Sequence, residues 1–258
     1  MNNAFAVAGI VIKELYRRKD FYVLFILTAL ITLVMGSFKL FNDEKIVRYI
    51  KEICLLLIWV SSLVVAITTA ARQIPAEREQ RTIFPLLAKP ITRGQLIVGK
   101  FFGCWLACGL ALLVFYLFFG LISGAREHHW PLLNYFQALW LHWMFLAVVV
   151  ALVLLGSVVF TAVSSNTTIS FIMVAGILFV ARHLNKVALQ MPEPGRSIVY
   201  GIYFVVPHLE FYDVRDLIIH NLPLIPWAMW GLATLYGIAY SVLFLLATWL
   251  VFRRKSLN

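Results

Sequence analysis

The residues of this chain able to do chemistry fall into four groups. Gly94 to Lys100, G-Q-L-I-V-G-K, matches the first seven positions of a phosphate-binding loop, but the next residue is Phe101. Such a loop needs Ser or Thr there to hold magnesium, and a strand leading in. The run predicts no nucleotide site, so the chain is not expected to hydrolyse ATP by itself. Cys104 and Cys108 lie one helical turn apart and offer two soft ligands, yet no His or Met completes a set at a suitable spacing. They read as small packing residues, and no metal site is predicted. His142 stands alone in an apolar run, as a packed or hydrogen-bonded histidine, with substrate contact as the alternative. The most polar cluster is H-L-E-F-Y-D-V-R-D-L-I-I-H. There His208, Glu210, Asp213, Asp216 and His220 offer cation ligands or a gate, with Asp216 and His220 on one helical face. Local Asp–Arg pairing and solvation account for the same residues.

These groups must be positioned by apolar elements. At 62% hydrophobic, 13% charged and a mean hydropathy of +0.88, the 258 residues lie far outside soluble composition and predict an all-α integral membrane protein. Six spans are expected: Phe21 to Phe38, Ile53 to Ala71, Phe101 to Gly124, Leu133 to Phe160, Ile169 to Ala181, and Ala228 to Phe252. A mixed-sign outer loop, N-D-E-K-I-V-R-Y-I-K-E, joins the first two. The polar turn Thr161 to Thr168 separates the fourth from the fifth. Gly99, Gly103, Ala107 and Ala111 form a ridge of small residues that lets helices approach closely. Residues 182–227 form the longest stretch outside the spans. Within it, Ile198 to Val206 is apolar but too short to cross, and reads as re-entrant or interfacial. His128, His129, Trp130 and Tyr135 read as an interfacial belt.

Before the first span, residues 1–20 run from apolar to basic. A signal peptide would carry its charge first. An interfacial amphipathic helix fits the pattern.

Between the second and third spans lies the polar loop 72–100, with six of the Lys/Arg residues. Glu77, Arg78, Glu79 and Arg81 precede Ile83, Leu86 and Leu87 at helical spacing, while Pro75, Pro85 and Pro90 limit any helix. One or two short helices with a stiff bend are expected, presented as a docking surface. Counting this loop and the basic termini as one side gives 13 bases against four acids there; the rest of the chain holds nine bases and eight acids. That asymmetry is positive-inside bias with both termini cytoplasmic, and its placement argues against nucleic acid as a partner. Cys54, Cys104 and Cys108, all in apolar runs, make no disulfide framework.

The loop resembles that of ABC-2 type exporter permeases, whose pattern is E-x-E, a small residue and Thr, Leu-Leu, Pro, Arg and a closing Gly-Lys. Here these are Glu77, Glu79, Thr82, Leu86, Leu87, Pro90, Arg93, Gly99 and Lys100, with Arg81 where the family usually has Gly. The N-terminal helix and the region between spans 5 and 6 extend the resemblance. It implies a single transmembrane domain over residues 1–258, with an elbow helix (1–20), a cytoplasmic coupling loop (72–100) and an extracytoplasmic region (182–227). It also implies a bacterial inner-membrane location, a second permease copy or paralogue, and a separate ABC ATPase subunit holding ATP and magnesium. The coupling residues would be Glu77, Arg78, Glu79, Arg81, Thr82, Leu86, Leu87, Pro90, Arg93 and Lys100.

No Asp, Glu, Lys or Arg falls inside the spans as drawn. Ion-coupled transporters need intramembrane ionisable groups, and intramembrane hydrolases need a catalytic set. Energy is therefore expected from another chain. The reading is an ATP-driven exporter permease for a hydrophobic or amphipathic cargo, in contact with membrane lipid. Two alternatives remain. One is a permease-like subunit that transmits ATPase motion to an extracytoplasmic partner. The other is a lipid-modifying enzyme with its site at His208 to His220.

Overall fold

The structure, a computed structural model, describes residues 2–17, 22, 26, 29, 30, 32, 33, 44–80, 92–127 and 130–254, and is helical with no strand among them. In chain order come α1 (Asn2–Arg17), α2 (Glu44–Ala71), the short α3 (Pro75–Glu79), α4 (Arg93–Glu127), α5 (Leu132–Val159), α6 (Val163–Gln190) and α7 (Gly195–Val205). A 3-10 turn (Leu209–Tyr212), α8 (Asp216–Ile219) and α9 (Trp227–Arg254) complete it. Among the described residues, five helices, α2, α4, α5, α6 and α9, are long and apolar enough to cross a membrane. Two thirds of the first expected span, Phe21 to Phe38, lies outside the described residues. Thr32, which is described, is hydrogen-bonded to Cys54 of α2. His128 and His129 are outside them as well.

Helix α5 is the hub. Of its most apolar stretch 78% is buried, against 17% for α6 and 22% for α9, so α5 is wrapped by protein while the other two mostly face outward. Polar side chains fix its neighbours. Trp105 of α4 and Trp143 of α5 stack at 4.5 Å. Each indole N–H also donates to the other's backbone carbonyl, at 3.0 and 2.9 Å. Gly109 makes this possible, since a Cβ there would lie 2.4 Å from the Trp143 ring nitrogen. Trp140 Nε1 donates to Thr234 Oγ1 of α9 at 3.0 Å. Without water to compete, such bonds are what holds helices in register inside a bilayer.

The small-residue ridge does what its spacing predicts at Gly103. A Cβ there would meet the backbone of Ala8 at 2.9 Å, so α1 crosses α4 against bare backbone. Val7, Ala8 and Val11 of α1 are buried, while Lys13 and Glu14 are exposed.

Four boundaries differ from the sequence reading. Helix α4 begins at Arg93, not Phe101, because Thr92 and Gln95 form a capping box: Gln95 N donates to Thr92 Oγ1 at 3.2 Å and Thr92 N to Gln95 Oε1 at 3.1 Å. The polar turn expected over Thr161 to Thr168 shrinks to Phe160 to Ala162, and Val163 to Thr168 open α6. Thr167 Oγ1 donates to Val163 O at 2.8 Å, and Asn166 reaches other helices, so both polar groups are satisfied within a helix. The outer loop before the second span is helical from Glu44. Arg48 and Glu52 stand four residues apart on its exposed side, a spacing at which opposite charges support a helix. Helix α6 likewise continues through residues 182–190, so the segment between spans is shorter than expected.

Candidate functional site

Two polar clusters stand at opposite ends of the bundle. At the basic end, α2 stops at Ala71, the chain turns over residues 72–74, and Pro75 starts α3. Lys100, two turns into α4, lies beneath this turn and is only 2% exposed. Its ammonium donates to Gln73 O at 2.6 Å and to Glu77 Oε1 at 2.7 Å, with Gln73 Oε1 at 3.4 Å. Gln73 Nε2 in turn donates to Thr69 O at 3.2 Å. One buried cation therefore fastens α3 and the end of α2 to α4.

Two further contacts extend the fastening. Asn166 of α6 donates to Ala71 O, the last residue of α2, at 3.0 Å. Gly156 leaves room for its amide, since a Cβ there would strike Asn166 Oδ1. Arg93 Nη1 donates to the carbonyls of Phe252 (2.7 Å) and Arg253 (3.1 Å), closing the C-terminus of α9 with a cation. Beneath lies a small apolar core: Val7 of α1, Ile74 of the turn, Leu96 and Ile97 of α4, Val158 of α5 and Phe252 of α9. Five elements converge under one five-residue helix.

The expected coupling residues separate accordingly. Lys100 and Glu77 are engaged within the bundle; Arg93 braces α9; Glu79 is exposed. Arg78 flanks them, and its Nε and Nη2 are shielded without a hydrogen-bond partner among the described residues. Arg81, Thr82, Leu86, Leu87 and Pro90 lie outside the described residues. Of the ridge, Gly99, Ala107 and Ala111 are buried along α4 with Gly103. The P-loop-like run Gly94 to Lys100 is helical, with its lysine held as described.

At the opposite end, the segment expected to form an outer gate divides into two pairs. His208 Nδ1 and Glu210 Oε1 are 3.1 Å apart. Arg215 clasps Asp213 with two bonds, 2.7 and 2.9 Å, and its guanidinium lies 5.7 Å from the Trp59 ring centre of α2. The hydrogen bond to Asp213 raises the pKa of Arg215 above its ordinary value. Asp216 and His220 are exposed and join neither pair. The segment is pinned to the bundle by residues that the sequence reading passed over. Gln137 exchanges two bonds with the backbone of Ile225 (2.9 and 3.0 Å), and Asn134 Nδ2 donates to Leu222 O at 2.9 Å. Tyr212 Oη donates to Ala233 O at 2.8 Å, beside Gly237.

His142 sits between the two ends, buried, with both ring nitrogens engaged. Ser62 Oγ is 2.8 Å from Nε2 and Tyr116 Oη 3.3 Å from Nδ1. Ser62 spends its own proton on Trp59 O at 2.9 Å. It therefore accepts from Nε2–H, and Tyr116 donates to Nδ1. This is the hydrogen-bonded histidine of the first reading, here linking α2, α4 and α5. Cys104 and Cys108 are buried free thiols, and no three His, Cys, Asp or Glu side chains converge as metal ligands among the described residues.

The arrangement is one of mechanical connections within a multi-pass membrane protein. No curated protein matches the chain. A family model described as ABC-2 family transporter protein matches residues 7–257, nearly the whole chain. The protein belongs to the ABC-2 family of transporter proteins.

Proposed function

We propose that the chain is the permease subunit of an ATP-driven exporter, and that a separate cytoplasmic ATPase subunit, carrying ATP and magnesium, drives it through residues 72–92. The observation that carries this reading is the seat of α3. A five-residue helix at the basic end is fastened by Lys100 to α4 and lies next to the Asn166 brace, while Glu79 remains exposed. A push on α3 would thus reach three spans without passing through a flexible loop. The basic bias at this end puts it, and both termini, on the cytoplasmic side. Helix α6, the least buried of the long helices, offers the face for a second permease copy or paralogue. The cargo is hydrophobic or amphipathic, and the turn around Asp213 and Arg215 serves as the outer gate.

The test is purification of the tagged protein from its native membrane with an ATPase assay on the eluate. Glu79→Arg alters an exposed contact and leaves the Lys100 fastening intact. An ATP-binding subunit that co-purifies with the native chain and is lost in Glu79→Arg supports the reading. Its absence from the native eluate in mild detergent refutes it.

A second reading is favoured by α7. None of its residues is buried, and Phe204 and Val205 are 73% and 75% exposed, as a docking face for an extracytoplasmic partner would be. Cargo flux into reconstituted vesicles separates the two readings.

A further inference from the structure

A groove of about 570 Å3 runs between α4 and α9, floored by Met144 and Ala147 of α5. Its walls are large apolar side chains such as Phe102, Trp105 and Val242. It begins beside Gly94 and Trp249 at the basic end and closes in the interior at Trp105 and Ile238. At 1.5 Å per residue the wall from Ile238 to Trp249 is about 16 Å long. One leaflet of a ~30 Å hydrocarbon layer has nearly the same depth. The mouth is cationic. The Arg253 guanidinium lies 5.6 Å from the centre of the Trp249 ring, which lines the groove, and Arg93 lies behind it. Arg253 is exposed and has no carboxylate partner among the described residues.

We propose that this groove seats one acyl chain of an anionic phospholipid from the leaflet at the basic end, with its phosphate on Arg253. Length, lining and charge each select this occupant. A second copy of the chain is disfavoured because close helix packing in a membrane uses small residues, and these walls are bulky. Trp249 lies one turn before Arg253 on α9, and an indole favours the headgroup boundary, so the lipid's polar and apolar parts would meet their matching walls together. Occupancy would set the spacing of α4 against α9, the two helices joined at this end by Arg93. The proposal needs only a membrane-spanning chain and does not rest on the export reading.

The experiment is native mass spectrometry of the full chain, with any co-purifying subunits, in detergent supplemented with phosphatidylglycerol or phosphatidylcholine. Phosphatidylglycerol should be retained about fivefold better, the worth of one basic residue near an anionic surface. Arg253→Gln should remove that preference. Val242→Trp, at a position 49% exposed, should fill the groove and abolish retention of both lipids. Leu246→Trp serves the same purpose should the first variant fold poorly. Equal retention of the two lipids, or undiminished retention in the filled variants, overturns the proposal. So does competition by glycerol phosphate alone, or lipid-blocking cross-linking between two Val242→Cys chains.

Discussion

Removing the two partners of the Lys100–Glu77 pair should not have equal effects. The Lys100 side chain is 2% exposed and the Glu77 side chain 24%. In Glu77→Ala the ammonium stays buried, held among the described residues by Gln73 O at 2.6 Å and Gln73 Oε1 at 3.4 Å. An uncompensated buried charge costs about 3–5 kcal/mol, and the Gln73 contacts place this variant toward the lower value. In Lys100→Met the stem volume is kept, and Glu77, the more exposed side chain of the pair, can turn its carboxylate from the bundle toward water. The loss is then nearer that of one charge-assisted hydrogen bond, about 2 kcal/mol. The double variant removes both charges and should fall well short of the sum, with a coupling of roughly 2 kcal/mol. The assay is unfolding of the purified protein in detergent micelles, followed by tryptophan fluorescence, with the two single variants and the double measured together. If the two single losses are equal, or the double is their sum, the ammonium is not the buried member of a coupled pair, and the fastening of α3 to α4 fails with it.

Other contacts give sharper local tests. Gly109→Ala should drive a methyl into the Trp143 ring and cost about 1–3 kcal/mol by overpacking, seen as an earlier unfolding midpoint and a changed indole emission. Gly237→Ala should be similarly destabilising, because its Cβ would lie 2.7 Å from Tyr212 Oη. Adding Tyr212→Phe should recover part of that loss, even though Tyr212 normally bonds Ala233 O. Ser62→Ala should cost about 1 kcal/mol or less, the usual value for one hydrogen bond between membrane helices, because Tyr116 still holds His142.

The spans were legible because a helix that crosses a bilayer must be apolar over its whole length, and five of the six expected ones have described helices in the expected order. Their ends were not, since a helix continues past the hydrocarbon wherever local bonds support it. Thr92 and Gln95 carried a readable capping signal that was passed over in favour of the first long apolar run. Ser, Asn and Thr at residues 164–168 suggested a turn, yet these side chains can satisfy themselves inside a helix. The loop stood out by its charge and its place between two spans, and the resemblance picked out Glu77 and Lys100 without revealing that they meet. That contact depends on the chain doubling back through Gln73, and no spacing in the sequence encodes it. Gln137, Asn134 and the Trp105–Trp143 pair are likewise products of packing, invisible to periodicity.

The distribution of connections indicates which part should move. Helix α5 is bonded to α2 through His142, to α4 through the paired indoles and to α9 through Trp140, so these four form one block. Helix α6 is different: it is the least buried span, and Asn166, in its first turn, bonds both Ala71 O and Val153 O. Force on the turn after α2 should therefore reach α6 at Asn166 and swing its far end, while α4 and α9 hold their separation. Spin labels at Val180 of α6 and Leu235 of α9, both exposed, report the first motion; labels at Leu110 and Leu243 report the second. With the ATPase subunit and nucleotide present, the first distance should change and the second should not. Asn166→Ala should abolish the first change while costing only about 1–2 kcal/mol of stability. A change at Leu110–Leu243 with Val180 stationary would place the moving joint at α4 and remove α6 from the mechanism.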